Sequence, residues 1–201
     1  MENPVRKTTL KVIQKSEQVK IDHEKLGEIS GEWSKDKLIV PYWPAEFHFN
    51  SKDVQKTIDY LIILDSLNFC FWNNKKAKWS INYKGRKYDG YFGLSLALKD
   101  FFERNSDKAN LDYFSRISFK EFKEILQGGE NLFFLKKRWQ IAREVSRAVE
   151  DSVDFVNSSN HKLSLLVPKI SNLPYFKDVA GFKGSQVFFL KRAQILAADI
   201  M

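Results

Sequence analysis

One apolar helical segment limits what this chain can fold into more than any other feature. In residues 51–72, apolar side chains recur at helical spacing, and the pattern leads directly into the aromatic run LNFCFW. Ser51 is a plausible N-cap for this helix. The chain also carries 17 Phe, 7 Tyr and 5 Trp residues, which is ample material for a core and too much for a disordered chain. The periodic apolar positions are Val54, Ile58, Leu61, Ile62 and Leu64.

Patterns elsewhere predict a mainly α-helical fold with one small β-hairpin. Residues 79–91 alternate apolar and polar side chains around Lys84-Gly85-Arg86, which is typical of a hairpin. Ser118 and Glu121 have capping-box spacing, and the glycines at 128 and 129 indicate the end of that helix. Loops are expected at 38–44 and 172–184. Further helices are expected at 4–16, 23–30, 90–104, 132–156, 161–170 and 187–201.

Length and charge give broader expectations. A chain of 201 residues predicts a single domain over 1–201, with two small domains as the alternative. The net charge of +8 favours an anionic partner, such as a phosphate group, a nucleic acid or a membrane surface. Solvated surface lysines explain the same charge without any partner, so both interpretations stay open.

Cysteine content and hydropathy bear on the compartment. Cys70 is the single cysteine, so no internal disulfide can form, which fits a reducing compartment. Its two phenylalanine neighbours suggest a small core residue rather than a nucleophile. No run of about 18 apolar residues predicts a membrane span, and MENPVRKTT lacks the apolar region of a secretory leader. A cytoplasmic protein without membrane association is therefore expected.

The sequence predicts no metal and no cofactor. His23, His48 and His161 lie far apart, and the cysteine has no partner at ligand spacing. Neither a GxGxxG nor a GxxxxGK[ST] phosphate loop is present.

Aromatic, acidic and basic side chains remain, and together they suit a site that holds or excises a nucleobase. Phe71 and Trp72 could stack on a flat base. Asp199, near the end of the last predicted helix, could oppose the positive charge that forms on ribose when an N-glycosidic bond breaks. Lys191 or Arg192 could hold a 5'-phosphate. These two cations point about 100° apart on a helix, so at most one is expected to face a given ligand.

Each of these residues also has a purely structural interpretation. Asp199 could be an exposed residue on a frayed last turn, and Phe71 and Trp72 could belong to the core together with Phe69. The other structural interpretations are hairpin packing for Tyr91, a cap or ion pair for Asp65, and a hydrogen-bonded loop position for His48.

Several motifs resemble the queuosine salvage family, also called queuosine 5'-phosphate N-glycosylase/hydrolase. The most specific are LNFCFW at 67–72 and KRAQILAAD at 191–199. Between them lie a Tyr-Lys-Gly at 83–85 and a Gly-Tyr at 90–91 followed by two leucines, in matching order and spacing. This chain departs from the family at Phe92 and Gly93, where Trp-Ser is usual. It also lacks the later phenylalanine-alanine-aspartate-tyrosine-arginine segment that carries a second aspartate, so the resemblance implies that the C-terminal third is missing.

The resemblance implies a metal-free hydrolase that releases queuine, a 7-deazaguanine base, from queuosine 5'-monophosphate. It implies a helical fold similar to DNA glycosylases and a free nucleotide as partner, with no stable nucleic-acid complex. Phe71 and Trp72 would line the base pocket, Lys191 would lie near the phosphate or sugar, and Asp199 would contact the ribose or base. His48 and Tyr91 complete the predicted substrate-binding residues.

Two other classes of function stay open. A chain without the second aspartate could be a non-catalytic nucleotide-binding protein, a truncated product or one subunit of a split enzyme. The charge of +8 also allows an RNA-binding module. Steep salt dependence of RNA binding would distinguish the RNA-binding module from a protein that binds a mononucleotide.

Overall fold

The computed structural model describes residues 4–35, 44–72, 78–130, 132–149, 152–160 and 162–201. It divides into two compact units. The first comprises Met1–Trp43 and Asp178–Phe189, and the second comprises Pro44–Lys177 and Leu190–Met201. The predicted loop at 38–44 lies outside the described residues except for Pro44, and His161 lies outside them as well.

Helices dominate the described residues, and two antiparallel hairpins accompany them. The helices are α1 (Pro4–Lys15), α2 (His23–Lys35), α3 (Val54–Leu67), α4 (Gly90–Arg104), α5 (Leu111–Arg116), α6 (Phe119–Ile125), α7 (Leu135–Ala148), α8 (Ser152–Asn157), α9 (Leu163–Ile170) and α10 (Lys191–Ile200). The strands are β1 (Ser80–Tyr83), β2 (Arg86–Asp89), β3 (Val179–Phe182) and β4 (Ser185–Phe188). The prediction of a mainly α-helical fold is confirmed.

The first unit contains α1, α2 and the hairpin β3–β4. Helix α1 packs against β4, and the backbone N–H of Phe188 donates to Oγ1 of Thr8 at 3.0 Å. Lys183 forms an ion pair with Glu17 at 2.6 Å. Lys183 and Gly184 both have positive φ and form the tight turn between the strands.

The second unit is built around α3. Every residue of α3 from Ile58 to Leu67 is buried, because α4, α7, α8 and α10 pack around the helix. A helix buried on all sides has no solvated face for a polar side chain. Any charged group on its inner turns must therefore be neutralised or paired inside the protein.

The hairpin β1–β2 packs on the loop that follows α6. The indole N–H of Trp79 donates to the backbone oxygen of Leu126 at 3.0 Å, and the N–H of Gly129 donates to the oxygen of Ser80 at 2.9 Å. A Cβ on Gly128 would lie 2.4 Å from the oxygen of Ser80. The chain crosses here so closely that only glycine fits without a shift.

Several predicted boundaries prove wrong. Helix α2 continues through Gly31 to Lys35, so that glycine does not end it. The N-cap of α3 is Asp53, whose side chain accepts from the N–H of Gln55, while Ser51 accepts from the N–H of Asp53. The long helix expected over 132–156 is two helices, α7 and α8, since the backbone becomes extended at Val149.

The largest error concerns residues 172–190. The segment predicted as a loop, 172–184, contains β3 and the turn of a second hairpin, whose other strand β4 follows it, and the turn uses the positive φ of Gly184. The final helix therefore begins at Lys191 and not at 187, because Val187 is a buried position of β4 and Leu190 adopts a left-handed φ of 52°.

Candidate active site

Asp199 lies in the last turn of α10, in the second unit. Helix α10 packs against α9 and α3 through the buried side chains of Ala193, Leu196 and Ala197. Asp199 is half-buried, which excludes the interpretation as a fully exposed terminal residue. Burial raises the pKa of the Asp199 carboxyl group, and a hydrogen bond with Asp65 partly opposes that rise.

Asp65 is the partner that faces Asp199 from the buried helix α3. Its side chain is 5% exposed, and no N–H or O–H group of the described residues donates to either of its buried carboxyl oxygens. Burial raises the pKa of Asp65 well above its usual range, and the charge of Asp199 and their hydrogen bond raise it further. Two adjacent carboxyl groups can form a hydrogen bond only if one keeps a proton. Because burial favours the neutral form more strongly at Asp65, we expect Asp65 to hold the proton of the pair and to donate to Asp199.

Tyr91, at the start of α4, lies beside the two carboxyl groups. Burial raises the pKa of the Tyr91 hydroxyl, and the charges of Asp65 and Asp199 add to the rise, so Tyr91 is a neutral hydrogen-bonding group. Tyr60 on α3 borders the same region, where its hydroxyl donates to the backbone oxygen of Ser95 at 3.3 Å.

His48 completes this cluster as a neutral imidazole. Its ring centroid lies 5.7 Å from that of Tyr91 and 6.5 Å from that of Tyr60, and its side chain is buried. Burial, followed by the positive charge of Lys99, lowers the pKa of His48 to about 4. We name the group of Asp65, Asp199, Tyr91, Tyr60 and His48 the carboxyl cluster.

Phe71 and Trp72 follow α3 in a separate aromatic segment, residues 69–72. Phe71 is half-buried, with its ring centroid 4.8 Å from the guanidinium carbon of Arg138. Trp72 is 73% exposed, so it is not a core residue. A large aromatic side chain that stays in solvent is available for stacking on a ligand.

Lys191 is the exposed first residue of α10. It precedes Asp199 by eight residues, so the two side chains are roughly 12 Å apart along the helix axis. The described contacts therefore bring together Asp199, Tyr91 and His48 from the predicted set. Phe71 contacts Arg138 instead, and Lys191 lies at the other end of α10.

Sequence interpretation missed the functional potential of Asp65. The sequence predicts a cap or an ion pair for it, yet its sequence neighbours are Leu64, Ser66 and Leu67, all buried. A carboxyl group inside a segment that apolar is a signal of a perturbed pKa and a candidate site. Its partner Asp199 is distant in sequence, and only the packing of α10 on α3 brings them together.

Neither a metal-binding group of side chains nor a membrane-spanning helix is found in the described ranges. Within those ranges, no three His, Cys, Asp or Glu side chains are grouped in a way that could hold a metal ion. None of the helices found there has the length and apolar character needed to cross a membrane.

Comparison with known proteins relates the chain to one family. Residues 47–201 match the family model described as queuosine salvage protein. The chain is 31% identical to the queuosine 5'-phosphate N-glycosylase/hydrolase of Sphaerobacter thermophilus over 199 residues, which is 96% of this chain and 61% of that protein. Proteins of the same name from Mus musculus and Dictyostelium discoideum are 26% and 28% identical, over 94% and 98% of this chain.

These alignments cover 59% of the mouse protein and 62% of the Dictyostelium protein, so the chain spans about three fifths of the length of these curated relatives. The family model nevertheless covers well over half of this chain, and it includes the LNFCFW and KRAQILAAD motifs. The resemblance carried by those motifs is confirmed, and the chain belongs to the queuosine salvage protein family.

Proposed function

We propose that this chain carries the active site of an N-glycosidase that hydrolyses queuosine 5'-monophosphate and releases queuine. The shared name of the relatives supports the substrate and the reaction. The structural observation that carries the proposal is the pair of Asp65 and Asp199. A half-buried carboxylate with a protonated partner behind it is suited to opposing a positive charge at one defined point.

The reaction exchanges one bond for another at the ribose. The bond between C1' and the base nitrogen breaks, and its electron pair leaves with the base, so positive charge develops on the ribose ring. The carboxylate of Asp199 opposes this charge and accepts a proton from the attacking water, whose oxygen bonds to C1'. The departing base takes up a proton from solvent, Asp199 then releases to solvent the proton that it accepted from water, and the products are queuine and ribose 5-phosphate.

Within this mechanism Asp65 acts through Asp199. Its proton forms a hydrogen bond that fixes the orientation of the Asp199 carboxylate and favours its ionised form. Tyr91 and His48 are both neutral beside the pair, so they can form hydrogen bonds to substrate hydroxyl groups without adding charge.

The remaining predicted residues bind the two ends of the nucleotide. The half-buried Phe71 and the exposed Trp72 form a stacking surface for the base, worth about 1–3 kcal/mol per stacked base. Lys191 binds the 5'-phosphate through its exposed ammonium group. Its distance along α10 from Asp199 suits contacts with different parts of one mononucleotide.

We also propose a specific architecture, a free nucleotide as the partner and a cytoplasmic location for this protein. A mainly helical second unit supports an architecture similar to DNA glycosylases. Because the proposed substrate is a free nucleotide, no stable nucleic-acid complex is needed. A single cysteine supports a cytoplasmic location.

The test is single-turnover release of queuine from queuosine 5'-monophosphate by the purified chain and its Asp199→Asn variant. We expect Asp199→Asn to lose at least about 100-fold in rate, because the amide lacks the opposing charge, while nucleotide affinity stays within a few-fold. Asp107→Asn changes an exposed carboxylate outside the carboxyl cluster and serves as the matched control. Release by Asp199→Asn within about tenfold of wild type would reject the assigned role.

The same experiment tests the alternative function. A wild-type chain that binds the nucleotide tightly but releases no queuine would favour a non-catalytic binding protein or one subunit of a split enzyme. A chain that neither binds nor cleaves the nucleotide would reject the proposed function altogether.

A further inference from the structure

Arg138 is a buried arginine whose side-chain hydrogen bonds to other described residues all go to backbone carbonyl groups. It lies in the first turn of α7, and its side chain is fully buried. Nε donates to the oxygen of Phe133 at 3.1 Å, and Nη2 donates to the oxygen of Cys70 at 3.0 Å. Nη1 and Nη2 also donate to the oxygens of Leu67 and Phe69. One guanidinium therefore connects the end of α3, the aromatic segment 69–72 and the start of α7.

The faces of the same guanidinium contact two aromatic rings. Its central carbon lies 4.2 Å from the ring centroid of Phe69 and 4.8 Å from that of Phe71. Within the described residues Arg138 forms no ion pair with a carboxylate. Burial lowers its pKa to about 10, so the group remains charged at neutral pH. A buried cation held only by carbonyl dipoles and ring faces is costly, which points to a role beyond filling space.

The backbone that Arg138 holds is strained. Cys70 adopts a left-handed φ of 41°, which a side chain with a Cβ rarely takes. Such strain persists only where surrounding contacts enforce it, and it is concentrated at ligand-binding positions. Three carbonyl groups of residues 67, 69 and 70 converge on Arg138, so this side chain supplies the contacts that enforce the turn.

The turn determines where the aromatic side chains point. Leu67 is the last residue of α3, and its carbonyl has no partner within the helix, so Arg138 caps the negative end of the helix that carries Asp65. From that fixed point the left-handed turn at Cys70 directs Phe71 back onto the guanidinium and leaves Trp72 in solvent. One face of Phe71 is covered by the cation, so a flat base would stack on the opposite face.

We propose that Arg138 is a positioning residue for nucleotide binding, which holds residues 69–72 so that Phe71 and Trp72 present a stacking surface to the base. The inference rests on the proposed function for the identity of the nucleotide. Lysine cannot replace arginine in this role, because a single ammonium group cannot reach four carbonyl groups and stack on two rings.

The test compares Arg138→Lys and Arg138→Ala with wild type in binding to queuosine 5'-monophosphate and to ribose 5-phosphate. We expect a loss of roughly ten- to hundredfold in affinity for the nucleotide, because small displacements of positioning groups have effects of this size. The affinity of both variants for ribose 5-phosphate, which has no base, should stay within about twofold of the wild-type affinity. Low concentrations of guanidinium should increase the nucleotide affinity of Arg138→Ala, because the free cation can occupy the emptied position. They should not increase the nucleotide affinity of wild type.

Two controls separate positioning from a loss of folding. Arg143→Ala removes another arginine of α7, one that packs on Trp139 and donates to Ser115, and it should leave nucleotide affinity unchanged. Cys70 is the single cysteine of the chain, so its rate of alkylation reports on the segment without any ligand. We expect faster alkylation in Arg138→Lys than in wild type or Arg143→Ala, with cooperative unfolding retained.

The outcomes distinguish the two proposals. Equal nucleotide affinity and equal alkylation rates in wild type and Arg138→Lys would overturn the role of Arg138 and leave the proposed function intact. Equal losses for the nucleotide and for ribose 5-phosphate would also overturn it, since they indicate a general structural defect. If wild type itself does not bind the nucleotide, the proposed function fails, and the role of Arg138 in nucleotide binding fails with it.

Discussion

The proton that Asp65 keeps makes stability depend on pH in a definite direction. Its pKa is raised in the folded protein, whereas an unfolded chain releases the proton near pH 4. At pH values between the unfolded and the folded pKa of Asp65, the folded state binds more protons than the unfolded state. The contribution of Asp65 to the free energy of unfolding therefore decreases as pH rises above about 4 and through the folded pKa of Asp65.

We predict that Asp65→Asn removes much of this decrease. An amide donates a hydrogen bond to Asp199 at every pH and has no proton to release. The measurement is the urea midpoint at several pH values from 5 to 9 for both proteins. His48, whose pKa is lowered to about 4, has the opposite pH dependence, but it is common to both proteins and cancels in the comparison. Parallel pH profiles would contradict a proton held by Asp65.

Trp72 gives a prediction that separates binding from stability. Because its side chain is 73% exposed, Trp72→Ala should change the free energy of unfolding by no more than about 0.5 kcal/mol. If the indole stacks on the base, the free energy of nucleotide binding should weaken by about 1–3 kcal/mol. Trp33 is 65% exposed in the first unit, so Trp33→Ala is a matched control expected to leave binding unchanged. Unchanged affinity in Trp72→Ala would reject the stacking role.

At the scale of elements, the contact between β1 and the loop after α6 depends on one glycine. A Cβ at position 128 would lie 2.7 Å from Nε1 of Trp79 and closer still to the oxygen of Ser80. We predict that Gly128→Ala lowers the free energy of unfolding by about 1–3 kcal/mol, as overpacking does. For Gly129→Ala the nearest atom is 3.8 Å away, so this control should be close to neutral. Denaturant midpoints of the two variants test the difference, and equal midpoints would contradict it.

Elements with strong local signals were predictable from sequence. Helix α4 has the predicted bounds, Gly90–Arg104, because its apolar spacing and the preceding hairpin turn are both local features. The capping box of Ser118 and Glu121 is likewise present. The hairpin β3–β4 was missed because its glycines at 181 and 184 are equally typical of a loop. Packing of α1 on β4 helps to hold that hairpin, and this contact is remote in sequence.

In the candidate site as well, residues within sequence motifs were predictable, whereas residues that depend on contacts remote in sequence were not. The motif resemblance pointed to Asp199, Phe71 and Trp72, but it gave no partner for the carboxylate. Asp65 and Arg138 act through contacts with residues far away in sequence, which no local pattern contains. A carboxyl group within a mostly apolar, buried helical segment is the sequence signal that Asp65 offers, and Arg138 resembles any other basic residue of an amphipathic helix.

At the scale of the whole molecule, the charge of +8 raises the question of which anion the protein binds. Binding of a long nucleic acid displaces many counterions, so its affinity falls steeply with salt, by about 0.7 log units per tenfold increase for each phosphate neutralised on a single strand. A mononucleotide offers one phosphate group. If a single lysine binds this phosphate, the log of the affinity should fall by about 1 unit or less per tenfold increase in salt.

We therefore predict a shallow salt dependence for queuosine 5'-monophosphate that is carried by Lys191. Lys191→Ala should weaken binding at low salt and flatten the remaining dependence, because it removes the cation that binds the phosphate. Lys120→Ala removes another exposed charge, on α6, and should change neither quantity. Affinity measured over a series of salt concentrations, with a single-stranded RNA in parallel, provides the test. Two outcomes would contradict this prediction. One is tight RNA binding whose log affinity falls by several units per tenfold increase in salt, and the other is a Lys191→Ala profile identical to wild type. Either would indicate that the net charge of the protein, and not one phosphate-binding lysine, determines anion binding.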